Sequence, residues 1–294
     1  MQCMHIHWFP GHMAKAQRMI REQLKLIDVV IELLDARIPY SSANPVISEI
    51  IGEKPHVVAL NKIDLAEPEL TKQWMSHFQN MNFSVVALDA ASGNGMKNLI
   101  GQVEKIAGDK LAKLAAKGIK PRAVRAMILG IPNVGKSSLI NRLLGSATVR
   151  TGDKPGVTRG QQWIKVGKNL ELLDTPGVLW PKLDDQEIAF KLAATGAIKD
   201  DVYDAEKVIL KLVGLLRDDY SERLITRYNL PLPLPADDSE LLGLIAARRG
   251  CLRSGGIVDY DKAGRIVLNE FRSGKLGGFT LDRPNTELDG MSNN

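Results

Sequence analysis

At 294 residues, with 44% hydrophobic and 25% charged side chains, the chain is long enough for two packed cores and is unlike disordered, collagen-like or disulfide-stapled proteins. No run approaches the roughly 18 apolar residues that cross a bilayer. The first residues lack the layout of a signal or transit peptide, and Cys3 and Cys251 are too few for a disulfide framework or metal-ligand spacing, so the expectation is a cytoplasmic protein with no membrane contact.

The net charge of +5 is uneven: residues 1–180 hold 23 Lys/Arg against 15 Asp/Glu, and 181–294 hold 16 against 19. Basic residues cluster over 97–125, which suits a polyanion such as RNA as well as it suits a solvated helix face. In chain order, Met13, Ala16, Ile20 and Ile27 at helical spacing predict an amphipathic helix over 13–27. The apolar run 29–34 predicts a buried strand, followed by a turn-rich stretch at 39–45 and a short helix. A strand at 57–60, a helix at 70–78 and a strand at 84–88 come next, then Gly93-Asn94-Gly95 and a long basic helix that Pro121 breaks. A strand at 124–129 leads through a glycine-rich loop to a helix at 137–144, and strands at 163–166 and 170–173 end at Asp174.

Continuous apolar strands alternating with helices imply an α/β fold, a doubly wound and mostly parallel sheet covered on both faces. Past Trp180-Pro181 the pattern turns helical, interrupted by the prolines of 231–235. The expected organisation is therefore a nucleotide-binding domain at 1–180 and a smaller all-α domain at 184–294, with a tail of low order after Pro284.

Three patterns carry chemistry. Gly130-Ile131-Pro132-Asn133-Val134-Gly135-Lys136-Ser137, between strand and helix, is a phosphate-binding loop pattern whose backbone N–H groups, those of Asn133, Val134 and Gly135 included, face phosphate oxygens. Lys136 would bridge the outer phosphates and Ser137 would place its hydroxyl on Mg²⁺, with Ser138 following in the first helical turn. Asp174-Thr175-Pro176-Gly177 closes an apolar strand, where Asp174 can hold the Mg²⁺ shell through water and Gly177 leaves its N–H open to the terminal phosphate. Thr158, between these two patterns, is placed to sense both metal and terminal phosphate.

Asn61-Lys62-Ile63-Asp64 follows another strand. The Asp64 carboxylate can accept two parallel hydrogen bonds from the N1–H and exocyclic amine of guanine, a donor pair that adenine lacks. Lys62 can lie over the ring and brace the phosphate loop, Asn61 can tie the two loops together, and Asp89-Ala90 stands where a backbone N–H meets the guanine O6. Singly, each pattern has a bland reading as a turn or a helix cap. Jointly they describe one guanine-nucleotide site, with the base-reading part ahead of the phosphate loop, the reverse of the usual order. The parts are those of a circularly permuted GTPase.

Trp8-Phe9-Pro10-Gly11-His12-Met13-Ala14-Lys15, Asp35-Ala36-Arg37-Ile38-Pro39, Ser41-Ser42-Ala43-Asn44-Pro45 and Pro155-Gly156-Val157-Thr158 stand in order with these motifs. On them the chain resembles the ribosome biogenesis GTPase A family (YlqF-type), with similarity continuing through 241–279. The resemblance implies hydrolysis of GTP to GDP during late assembly of the large ribosomal subunit, rRNA and ribosomal proteins as partners, and a potassium ion on Asn133; the protein is expected to be a monomer off the ribosome.

Val178 stands directly after Gly177, where Ras-like enzymes place a water-orienting Gln, so unaided turnover is expected to be slow. His12 is the candidate for positioning water, with potassium and an rRNA group as rivals and a structural turn as the alternative. Asp35, Arg37 and Pro39 read as organisers of a turn, Trp8 and Phe9 as packing anchors, and Arg248, Arg249, Arg253 and Lys275 as RNA contacts. Because the chain after Asp174 leads out to the second domain, nucleotide state is expected to reorient that domain, with GTP favouring ribosome binding. Two other functions fit parts of the pattern: a nucleotide-gated RNA-binding module with incidental turnover, and a P-loop kinase of a small molecule, which has no need of Asp64.

Overall fold

The computed structural model describes residues 10–116, 118, 122–145, 163–167, 169–173 and 185–284, which fall into two compact units. The first is built on six strands, β1 (Val29–Asp35), β2 (His56–Asn61), β3 (Ser84–Ala87), β4 (Val124–Leu129), β5 (Trp163–Val166) and β6 (Leu170–Leu173). They run in the order β3-β2-β1-β4-β6-β5, every pairing parallel except β5 with β6.

Strand β1 lies inside the sheet with all of its residues buried, a condition that Val29, Val30, Ile31, Leu33 and Leu34 satisfy as apolar side chains. On one of its faces, Val30 packs with Ile20 and Leu24 of α1 (Pro10–Leu24) and Ile47 and Ile50 of α3 (Pro45–Ile51). Farther along, Leu34 packs with Trp74 and Phe78 of α4 (Pro68–Asn80). The short helix α2 (Pro39–Ser42) turns the chain after β1, and Asn44 caps α3 by accepting from the Val46 N–H at 3.0 Å. The first helix ends at Leu24, short of the expected 27, because the Leu26 and Ile27 amides fold back onto the carbonyls of Gln23 and Leu24.

Helix α5 (Met96–Ala116) is the crossover from β3 to β4, the step at which the chain passes from one side of β1 to the other. Strands β1 and β4 pair in parallel although the chain visits β2 and β3 between them, so their pairing does not rest on a direct crossover. Register sets Asp35 opposite Asn61 and Glu32 opposite Leu129, which brings the carboxyl ends of β1, β2 and β4 to one edge. Such sheets bind ligands there.

The second unit, 185–278, consists of α7 (Gln186–Ala194), α8 (Ala205–Tyr228), α9 (Asp238–Arg248) and α10 (Tyr260–Arg272). Each starts behind an aspartate, Asp185, Asp204, Asp237 or Asp259, whose carboxylate accepts a backbone N–H of the first turn. Gly264 lets α10 lie on α8: a Cβ there would stand 2.8 Å from Ile209 Cδ1. Buried Glu270 of α10 accepts from Nη2 and Nε of Arg227 on α8, at 2.7 and 2.9 Å, and pairs with Arg249 beyond α9.

The expected helical domain of 184–294 differs from this division at its far end. Residues 279–284 belong with the sheet, where Phe279, Thr280 and Asp282 are buried. The second unit is thus an insertion that the chain enters after β6 and leaves at Gly278, rather than a terminal appendage reached by one connection. An extended segment of a few residues has no period of its own, so the boundary between it and a preceding helical domain leaves no mark in the sequence. The expected tail of low order after Pro284 lies outside the described residues.

Glu32 is the one acid inside β1 ahead of its carboxyl end, 6% exposed, and burial pushes its carboxyl up to about 7. The folded state therefore favours the neutral acid. The resulting stability is present below the ordinary value of 4.5 and is lost as pH rises through about 7. Glu32→Gln is expected to be more stable than wild type above pH 7, by at most about 3 kcal/mol, with the advantage fading at acid pH. Urea midpoints across that range read the difference, and one that does not vary with pH would contradict the assignment.

Candidate functional site

The loop after β4 is held against β1 from its first residue: a Cβ on Gly130 would come within 2.6 Å of the Leu33 carbonyl oxygen, so only glycine fits without a shift. Asn133 (φ 55) and Gly135 (φ 106) take left-handed backbone and turn the loop into α6 (Lys136–Leu144). Lys136 is buried and donates from Nζ to the Gly130 and Ile131 carbonyls at 3.1 and 2.7 Å. Its ammonium thus lies within the curl of the loop. Ser137 and Ser138 are half-buried in the first turn of α6, where amides have no partner inside the helix and the helix dipole is positive.

Asn61, the last residue of β2, makes two contacts that join three loops. Its Nδ2 donates to the Val134 carbonyl at 2.8 Å, and its Oδ1 accepts from the Ala90 N–H at 3.0 Å. The approach leaves no room for a side chain opposite, since a Cβ on Gly135 would stand 2.3 Å from Asn61 Nδ2. Lys62 adopts left-handed backbone (φ 65) and sends Nζ to the Asn133 carbonyl at 2.7 Å and to Asp35 Oδ2 at 2.9 Å. Burial lowers the Lys62 pKa, and Asp35 opposes that effect.

Asp64 follows on an exposed turn; burial, then the charge of Asp89, raise its carboxyl. A rim of two carboxylates suits a ligand edge that presents hydrogen-bond donors. The Ala90 amide, expected to meet a base oxygen, donates here to Asn61 Oδ1, and the next amide, that of Ala91, donates to Asp89 Oδ1 at 2.8 Å. Asp89 Oδ2 also accepts from the Ser92 N–H at 3.2 Å. This loop is pinned from α6 by Arg142, which donates to the Ala91 carbonyl at 2.8 Å and to that of Ser92. Arg142 belongs to no motif, and nothing in the sequence marked it.

Asp35 does more than organise a turn. Arg37 grips it through Nε and Nη2, at 2.9 and 2.7 Å, while Lys62 holds Oδ2 from the base loop. Both Asp35 and Arg37 are essentially buried. Burial alone would raise the Asp35 carboxyl, but the charges of Arg37 and Lys62 outweigh it and hold it well below the usual carboxylate range.

Thr158, Asp174 and Gly177 lie outside the described residues. So does the side chain of His12, whose backbone stands in the first turn of α1. Strand β6 parallels β4 and its last residue, Leu173, pairs with Met127 near the phosphate-loop edge. Among the described residues no group of His, Cys, Asp or Glu could hold a metal by itself. The Ser137 hydroxyl, at the mouth of a glycine-bounded loop, is a hard oxygen donor that suits Mg²⁺. The four basic candidates for RNA contact fall in the helical unit: Arg249 is paired with Glu270 and Arg253 with Asp259 and Asp261, while Arg248 and Lys275 are exposed.

A family model described as 50S ribosome-binding GTPase matches residues 125–228, beginning on the phosphate-loop strand. The chain is 53% identical over 282 residues to a "Ribosome biogenesis GTPase A" of Priestia megaterium, covering 96% of this chain and 98% of that one. A protein of the same name from Bacillus cereus is 53% identical over 95% of this chain and 94% of its own length. Among solved structures, GNP-bound YlqF from T. maritima superposes with a TM-score of 0.65 at 25% identity, covering 92% of this chain and 99% of that one.

Replacing Asp35 by Asn leaves the buried Arg37 guanidinium without its counter-charge, a change expected to cost about 3–5 kcal/mol of stability near neutral pH. Because the folded carboxyl titrates below the unfolded one, its contribution is present above about pH 4 and is lost only as pH falls through the lower folded value. Denaturant unfolding of wild type and Asp35→Asn should converge only in that acid range. Equal stability at pH 7 would show the pair to be dispensable.

Proposed function

This chain belongs to the ribosome biogenesis GTPase A family, GTP-hydrolysing proteins that act in ribosome assembly, and from that premise we propose that it turns over GTP on a precursor of the large ribosomal subunit. In this reading it works in the cytoplasm as a monomer off the particle, and its helical unit touches rRNA and ribosomal proteins through Arg248, Arg249, Arg253 and Lys275. GTP favours the particle-bound state and hydrolysis releases it. The observation that carries the reading is the closure of the base loop on the phosphate loop through Asn61 and Lys62.

Guanine would lie between Lys62 and the Asp89–Ala90 loop with its N1–H and amine on Asp64. With the Ala90 amide serving Asn61, the contribution of Asp89 and Ala90 is to shape the loop around the base. Lys136 would exchange the Gly130 and Ile131 carbonyls for the outer phosphates, whose charge is the stronger acceptor. The backbone of Asn133, Val134 and Gly135, with Ser138, completes the phosphate cradle. Ser137, Thr158 and Asp174 would hold Mg²⁺, which when bound draws charge from the transferring phosphoryl group. Thr158 and the Gly177 amide would receive the terminal phosphate.

An apolar Val178 leaves water placement to another group. We assign it to His12, with a potassium ion on Asn133 adding positive charge beside the phosphates. GTPase rates in potassium and sodium buffer, with and without large subunits, test this reading on wild type and His12→Ala. Subunits and potassium are each expected to raise the wild-type rate, and His12→Ala to abolish the gain from subunits. A rate indifferent to particles would point to another cellular target. Asp64→Asn is expected to weaken GDP binding by at least about tenfold, the loss of a charged, paired acceptor, and to favour xanthosine diphosphate. Unchanged nucleotide preference in a binding titration would remove Asp64 from base reading.

A further inference from the structure

Beyond the helical unit the chain returns to the outer side of the base loop. Its contacts there are specific. The Phe279 N–H donates to the Leu65 carbonyl at 2.9 Å, one residue past Asp64. Thr280 and Glu67 exchange two bonds, the Glu67 N–H to Thr280 Oγ1 at 3.0 Å and the Thr280 N–H to Glu67 Oε2 at 3.2 Å. The Leu281 N–H donates to the Arg37 carbonyl at 2.7 Å. Asp282 accepts from both the backbone N–H and the hydroxyl of Ser41, at 2.7 and 3.0 Å, while its own carbonyl accepts from Trp74 Nε1 at 3.2 Å. Thr280, Asp282 and Ser41 are fully buried.

These bonds fall on the two segments that set the base-reading side chains. Leu65 and Glu67 continue directly from Asp64, and Arg37 holds the Asp35 carboxylate that in turn holds Lys62. On its inner side the base loop is fixed to the phosphate loop by Asn61 and Lys62; on its outer side the described fixings include this strap. We propose that residues 279–284 are a positioning element for guanine recognition, setting the height and tilt of Asp64 so that its carboxylate meets the N1–H and the amine together. The sequence spacing makes this a long-range device, since Ser41 and Asp282 stand 241 positions apart. It also means that the residue at which the helical unit ends, Gly278, held by Arg223 of α8, is joined directly to one bonded beside Asp64.

The proposal rests on Asp64 reading the guanine amine, and the test separates the two. Full-length wild type, Thr280→Val and Asp282→Ala are titrated with GDP and with inosine diphosphate, which lacks that amine, and with tripolyphosphate as a probe of the phosphate loop alone. Wild type is expected to prefer GDP. In both variants the GDP-over-inosine preference should fall by about three- to tenfold, the worth of one misaligned hydrogen bond, with tripolyphosphate binding little changed. Asp282→Asn, which keeps one acceptor for Ser41, should recover part of the preference.

A strap that merely stabilises the fold would lower the melting temperature and leave the preference intact, and that result overturns the proposal. Thr280→Val, nearly isosteric, decides the matter if Asp282→Ala does not fold. Wild type that fails to prefer GDP overturns the base reading and the proposal with it.

Discussion

Asn61 and Lys62 bind two loops that the sequence keeps about seventy positions apart, and the site exists because they do. Neither loop is confined by its own strand alone. The phosphate loop turns through left-handed backbone at Asn133 and Gly135, and it is held where the Val134 and Asn133 carbonyls accept from Asn61 and Lys62 at the end of β2. A chain with the same loops but without that junction would have phosphate and base determinants that drift independently. Affinity for a whole nucleotide depends on both being ready at once, because ordering them on binding would subtract from the interaction energy.

Behind the junction stands a buried ion cluster. Lys62 reaches the phosphate loop from a position held by Asp35, and Asp35 is itself held by Arg37. In water such pairs contribute little, but here all the charges are withdrawn from solvent to differing degrees and each hydrogen bond is made with short, direct geometry. The gain is positional rather than a large net stabilisation. The carboxylate remains charged far into acid, so the lysine keeps its anchor throughout the neutral range.

Chain order and spatial order part company twice. In the strand order β3-β2-β1-β4-β6-β5, β1 and β4 are neighbours although β2 and β3 come between them in the chain, so the sheet joins the strand before Asn61 to the phosphate-loop strand through β1 and not through chain order. The second departure is the return of 279–284 to the sheet unit, which turns the helical unit into an insertion. The helical unit therefore has a second covalent connection to the sheet unit, at Gly278 and Phe279.

Much of this was legible in the residues themselves. The buried parallel strands showed as largely apolar runs, and the glycine-bounded lysine loop and Asn61 to Asp64 pointed to a guanine nucleotide through the chemistry those side chains can offer. Local pattern could carry these because each depends on neighbours a few positions away. What only tertiary structure decided were pairings between distant positions: Asn61 taking the Ala90 amide, Arg142 pinning the loop after β3, Asp35 anchoring Lys62, and Asp282 meeting Ser41. Hydrogen bonds of that kind leave no periodicity in the chain. They are set by which backbone groups the sheet register and the helix packing happen to bring within about 3 Å.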